Sequence, residues 1–117
     1  MPDLPAYQIL EAYTLSKKLV VACYELTQDL PAEEKTNLSQ YIKTAAITIY
    51  LNVAQGIPFK KKQRRKFRTT IYNALAVIDA SVDALVETGL TNKDRPAAVT
   101  GLTLSLYQLL EKLKKEK

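Results

Sequence analysis

Apolar residues recur along this chain at spacings of three and four, in four stretches separated by proline, glycine and acidic breaks. Such spacing places them on one face of a helix. The first stretch runs from about residue 4 to 27. Ile9, Ala12, Leu15, Leu19, Cys23 and Leu26 form its stripe. Asp3 is placed to cap it, and Pro5 falls in the first turn, where a missing N–H costs nothing. Asp29-Leu30-Pro31 ends it. The second stretch runs from about 33 to 55, with Leu38, Ile42, Ala45, Ala46, Ile49 and Val53 as its stripe. Gly56 is expected as the left-handed residue beyond that helix, and Pro58 prevents continuation.

The third stretch, about 60 to 88, is the longest. Phe67, Ile71, Ala74, Leu75, Ile78, Val82 and Leu85 keep the rhythm, and Gly89 closes it. At ~1.5 Å per residue it spans on the order of 40 Å. The fourth runs from about 95 to 114, with Asp94 as the expected cap and Pro96 in the first turn. Its stripe is Val99, Leu102, Leu106, Leu109 and Leu113. No strand-like alternation competes. Short connections make neighbouring helices antiparallel, so the expected fold is all-α, a single up-down-up-down four-helix bundle over residues 1–117.

Composition narrows the chemistry. There is no histidine, which removes the usual general base and zinc ligand. The glycines at 56, 89 and 101 form no phosphate-cradling loop. A non-enzymatic protein with no cofactor and no metal is expected. Cys23, the single cysteine, stands among apolar residues, as a buried inert thiol does. With no apolar run near the ~20 residues that span a bilayer and no signal-like N-terminus, a cytoplasmic protein is expected. Attachment to a membrane surface would need an apolar face beside the basic residues, and only Phe59 and Phe67 are there.

Charge changes the picture most. Seven of the nine residues from Lys60 to Arg68 are basic: Lys60, Lys61, Lys62, Arg64, Arg65, Lys66 and Arg68. The net charge is +5, so the rest of the chain sums to −2. On a helix these cations form three rows, Lys60/Arg64/Arg68, Lys61/Arg65 and Lys62/Lys66, around the positive end of the helix dipole. Cations gathered at that end repel one another and point to a polyanion, RNA or DNA. A solvated helix start is the plain alternative. Tyr72, four residues after Arg68, and Tyr50, before the loop, are candidates for stacking on exposed bases; rings at the core edge with wet hydroxyls are the alternative. Asp79, Asp83 and Glu87 form an acidic stripe, either an oligomer contact for a basic patch on another copy or a solvated face. Asn52, between Ile49 and Val53, is assigned a structural role, as a buried amide that fixes helix register.

The segment Leu30-Pro31-Ala32-Glu33-Glu34, then Leu38, Ile42, Ala45-Ala46, Ile49 and Asn52-Val53-Ala54-Gln55-Gly56, resembles a family of small bacterial four-helix-bundle proteins. Its first known members are encoded in intervening sequences of large-subunit ribosomal RNA genes. The family pattern has a proline–acid helix start, an Arg-Arg-Ala-Ala stretch and an Asn-Ile-Ala-Glu-Gly end. Here Lys43-Thr44 stands in place of the arginine pair, Tyr41 replaces a common glutamine, and Gln55 replaces the glutamate. The resemblance implies a ring-forming homo-oligomer, a pentamer, with a basic surface. The chain is similar as well to the accessory variability determinant proteins of diversity-generating retroelements. That likeness implies nucleic-acid binding and a reverse transcriptase as partner. The competing expectation is a structural interaction module whose basic run docks an acidic protein surface, another protein's or this chain's own acidic stripe.

Overall fold

The computed structural model describes residues 6–34, 37–55 and 61–115, with side-chain detail for 10–34, 37–55, 65–112 and 114. Its elements are α1 (Ala6–Gln28), a 3-10 turn (Ala32–Glu34), α2 (Leu38–Ala54), α3 (Lys61–Glu87) and α4 (Ala97–Lys115). The described residues contain no strand. Each helix packs against its neighbours in sequence, and α1 closes the arrangement against α4. Among the described residues no comparable contact joins α1 to α3 or α2 to α4, so the four helices stand at the corners of a bundle. Tyr13 of α1 meets Tyr50 of α2, and Asp79 of α3 meets Thr103 of α4.

The apolar stripes become the core. Leu19, Cys23, Ile42, Ile49, Leu75, Ile78 and Leu85 have no solvent exposure, and Ile71, Val82, Val99 and Leu106 are nearly as enclosed. Burying one such aliphatic side chain stabilises by about 1.5–3 kcal/mol, so this seam holds the bundle together. Leu15, Leu38, Phe67 and Leu102 are only half-buried and flank it. Leu110, off the expected stripe, is buried. Ile9 and Leu113 lie outside the described side chains, as Asp3 and Pro5 lie outside the described residues.

Two helix starts differ from expectation. Glu33 and Glu34 do not begin α2; they sit in the separate 3-10 turn, and α2 begins at Leu38. Asn37 precedes it without a side-chain capping bond. Its amide instead donates to Glu34 Oε1 at 3.3 Å. At the start of α4, Asp94 is not the side-chain acceptor. Asn92 Oδ1 accepts from the Asp94 and Arg95 N–H groups at 3.0 and 2.7 Å, a local turn that preorganises the chain before Ala97. The same loop is tied to the end of α1 by an ion pair between Arg95 and Asp29.

The end of α3 matches expectation. Gly89 has φ +77°, a conformation that costs other residues roughly 1–2 kcal/mol. The Gly89 N–H donates to Val86 O at 3.0 Å and the Leu90 N–H to Leu85 O at 2.9 Å. This is the Schellman arrangement, and Leu90 packs against the core as its apolar partner.

One expectation about α3 needs correction. Residues 65–87 are long and apolar enough, by length and composition, to cross a membrane. The apolar residues of this stretch form the bundle seam, with Ile71, Leu75, Ile78, Val82 and Leu85 buried, a setting that yields the same composition in a core helix.

Candidate nucleic-acid interface

Of the seven predicted cations, Lys60 lies outside the described residues. Lys61, Lys62 and Arg64 belong to α3, but their side chains lie outside the description. Arg65 and Lys66 are exposed and Arg68 is half-buried. Their spacing on α3 explains this. Phe67 packs against the core, which turns Arg65 and Lys66 outward and leaves Arg68 leaning towards α4. Neither Arg65 nor Lys66 makes a side-chain hydrogen bond or ion pair among the described residues. Two unpaired cations at the first turns of a helix are available to an anion.

The two candidate stacking tyrosines are both engaged by other tyrosines. The Tyr72 hydroxyl donates to the Glu111 carboxylate, and its ring stacks on Tyr107 with centroids 5.8 Å apart. Burial, with the Glu111 bond and charge added, pushes the Tyr72 hydroxyl up to about 12, partly countered by nearby Arg68. One face of Tyr72 is therefore already covered. Tyr50 and Tyr13 share a hydrogen bond of 3.0 Å with ring centroids 5.5 Å apart. The shared bond lowers the Tyr13 pKa, helped by the Lys17 ammonium 4.9 Å above its ring, and raises that of Tyr50. These are rings at the edge of the core.

Asn52 is half-buried, not buried, and its Nδ2 donates to Thr48 O at 2.7 Å. The bond stays within α2 and links no second helix, so it satisfies the amide without setting the register between helices. Gly56 lies outside the described residues. The last described residue of that segment, Gln55, remains right-handed, and its N–H reaches Leu51 O at 3.1 Å.

The acidic stripe lies along a groove. Asp79, Asp83 and Glu87 line a cavity of about 720 Å³ between α3 and α4, together with Val86, Leu104 and Tyr107 among others. Asp79 accepts a 2.9 Å hydrogen bond from Thr103 Oγ1, so it is not simply solvated. Burial, with Asp79 adding to it, raises the Tyr107 pKa. Among the described residues, no three His, Cys, Asp or Glu side chains are grouped to hold a metal. The α4 residues of this groove, Thr100, Thr103 and Tyr107, and Glu111 one turn beyond it, which takes the Tyr72 hydroxyl, were not singled out from the sequence. Their spacing of three and four between the core leucines was the available signal.

A second groove, of about 610 Å³, lies between α1 and α2 and is lined by Val21, Tyr24, Gln28, Ser39 and Lys43 among others. The Lys43 ammonium sits 5.3 Å above the Tyr24 ring. Ser39 Oγ is buried there with no hydrogen-bond partner.

The family model described as 23S rRNA-intervening sequence protein matches residues 8–112, most of the chain. Neither a curated protein nor a solved structure matches it significantly.

Proposed function

Because the chain belongs to the 23S rRNA-intervening sequence protein family, we propose that it is a non-catalytic accessory protein that binds RNA or DNA through the Lys60–Arg68 run. One observation carries this reading: Arg65 and Lys66 stand exposed and unpaired at the start of α3, inside a run with seven cations in nine residues. Such a run engages phosphates electrostatically, with weak sequence preference and steep salt dependence. Arg68 holds the edge of the site beside Tyr72. The absence of histidine supports a role without acid–base catalysis.

The partner class that suits such a protein is a nucleic-acid-processing enzyme, with reverse transcriptase leading. An oligomer, the pentamer of the family resemblance, would multiply the cation cluster and raise avidity for a long polyanion. The cytoplasm is the proposed location. We infer also an up-down-up-down course for the helices. It is supported by the Tyr13–Tyr50 contact, early in α1 to late in α2, and by the Tyr72–Glu111 and Asp79–Thr103 contacts, in which the earlier residue of α3 meets the later residue of α4.

The test is a fluorescence-anisotropy titration with a labelled structured RNA and a DNA duplex of similar length across a salt series. Each phosphate neutralised contributes about −0.7 to −0.9 to the slope of log affinity against log salt. A steep negative slope is expected. No binding even at low salt would overturn the reading and make the run a protein-docking surface.

A further inference from the structure

The side of α3 that borders α4 carries opposite charges at its two ends. At 3.6 residues per turn, Arg65, Arg68, Tyr72, Asp79 and Asp83 fall within a sector of roughly 60°. The cations lie towards the helix start and the carboxylates towards its end. Arg65 and Asp83 stand equally far either side of Ala74, and Arg68 and Asp79 nearly so. The sequence continues the pattern one turn further at each end, with Lys61 and Glu87.

These charges cannot meet within one molecule. Arg65 and Asp83 share a single helix and lie about 27 Å apart along its axis, far beyond side-chain reach. Neither makes a side-chain hydrogen bond or ion pair among the described residues. Between the charged ends lies apolar surface: exposed Ala76, Leu104 with 56% of its surface exposed, and the half-buried rings of Tyr72 and Tyr107. Among the described residues the α3–α4 packing is the sparsest of the four helix pairs that meet, and the 720 Å³ groove opens there.

We propose that this face binds a second copy of the chain about a two-fold axis that crosses it at the height of residue 74 along α3, with the two α3 helices antiparallel. Arg65 of each copy then meets Asp83 of the other, and Arg68 meets Asp79, while the apolar centres cover one another. A two-fold contact requires a self-complementary patch, and a charge order that inverts about its midpoint is one. A parallel arrangement would set cation against cation, so this contact is separate from any ring of parallel copies.

Sedimentation velocity on the full chain without nucleic acid tests the contact, with circular dichroism confirming helicity. At about 50 mM salt the wild type is expected to pair its basic assembly unit, whether a single chain or a ring, into a species of twice the mass, and to lose that pairing at higher salt. Arg65→Asp and Asp83→Arg should each raise the dissociation constant about tenfold or more, since each places like charges together twice. The double variant R65D/D83R should recover association, because every swapped copy is again self-complementary. A merely structural role would show no such recovery. A wild type that shows no doubling at low salt, an assembly indifferent to both reversals, or a double variant without recovery would overturn the proposal. Because no nucleic acid is present, the result is independent of whether the cation run binds RNA.

Discussion

Thr103 Oγ1 donates a 2.9 Å hydrogen bond to Asp79 Oδ1, joining α4 to α3 beside the acidic groove. The same hydroxyl reaches Thr100 O at 3.0 Å, and Thr103 is 2% exposed. A buried hydroxyl shared between a carboxylate and its own helix holds the two helices in register where their packing is sparse. Thr103→Val preserves the shape and deletes the donor. It is expected to cost about 1–2 kcal/mol, because a hydrogen bond to a charged group is lost. Urea unfolding of the variant against wild type measures it.

The opposite sign is expected at Ser39. Its hydroxyl is buried at 1% exposure and has no hydrogen-bond partner. An unsatisfied buried polar atom costs roughly 1–3 kcal/mol, and alanine is also the better helix former. Ser39→Ala should therefore raise stability, by about 1 kcal/mol in the same unfolding assay. A loss of stability would mean that the hydroxyl has a partner in solution.

Cys23 makes alkaline stability testable. Burial pushes its thiol up to about 12, from an ordinary value of 9.0. A folded pKa above the unfolded one means that the contribution is complete below about pH 9 and is lost as pH rises towards 12. Tyr72 is raised in the same direction, from 10.0 to about 12. Chemical denaturation at stepped pH should show wild-type stability falling from about pH 9 upward. Cys23→Ala should delay that fall towards pH 10, at the expense of about 1 kcal/mol at neutral pH from the lost volume.

The cation site predicts a charge-counting outcome. Arg65→Gln with Lys66→Gln removes two exposed cations and leaves Phe67 and the core seam intact. Binding to RNA should weaken across all sequences alike. The slope of log affinity against log salt should flatten by about 1.4–1.8, the share of two phosphate contacts. Anisotropy titrations in at least three salt concentrations read both quantities, and an unchanged slope would remove Arg65 and Lys66 from the site.

The helices were legible in the chain because one force governs each of them. The three–four recurrence of Ile71, Leu75, Ile78, Val82 and Leu85 matches the helical repeat, so the buried face of α3 followed directly from the order of residues. Gly89 was legible for a similar reason: a helix end that needs φ +77° selects glycine. The start of α2 was less so. A proline–acid segment suits the first turn of a helix and a separate 3-10 turn equally, and only the packed chain distinguished them.

By itself, then, the sequence determined the four apolar stripes, the glycine stop, the buried thiol and the concentration of cations at the start of α3, all of which rest on residues close together along the chain. Only the tertiary structure decided the partners of the polar side chains. Tyr50 turned to Tyr13, Tyr72 to Glu111 and Tyr107, and Asp79 to Thr103, over sequence separations of 37, 39 and 24 residues for the hydrogen-bonded pairs. Periodicity states which side of a helix is apolar, but which polar residue of another helix stands opposite depends on helix rotation and axial offset. Those are fixed only when the whole core closes.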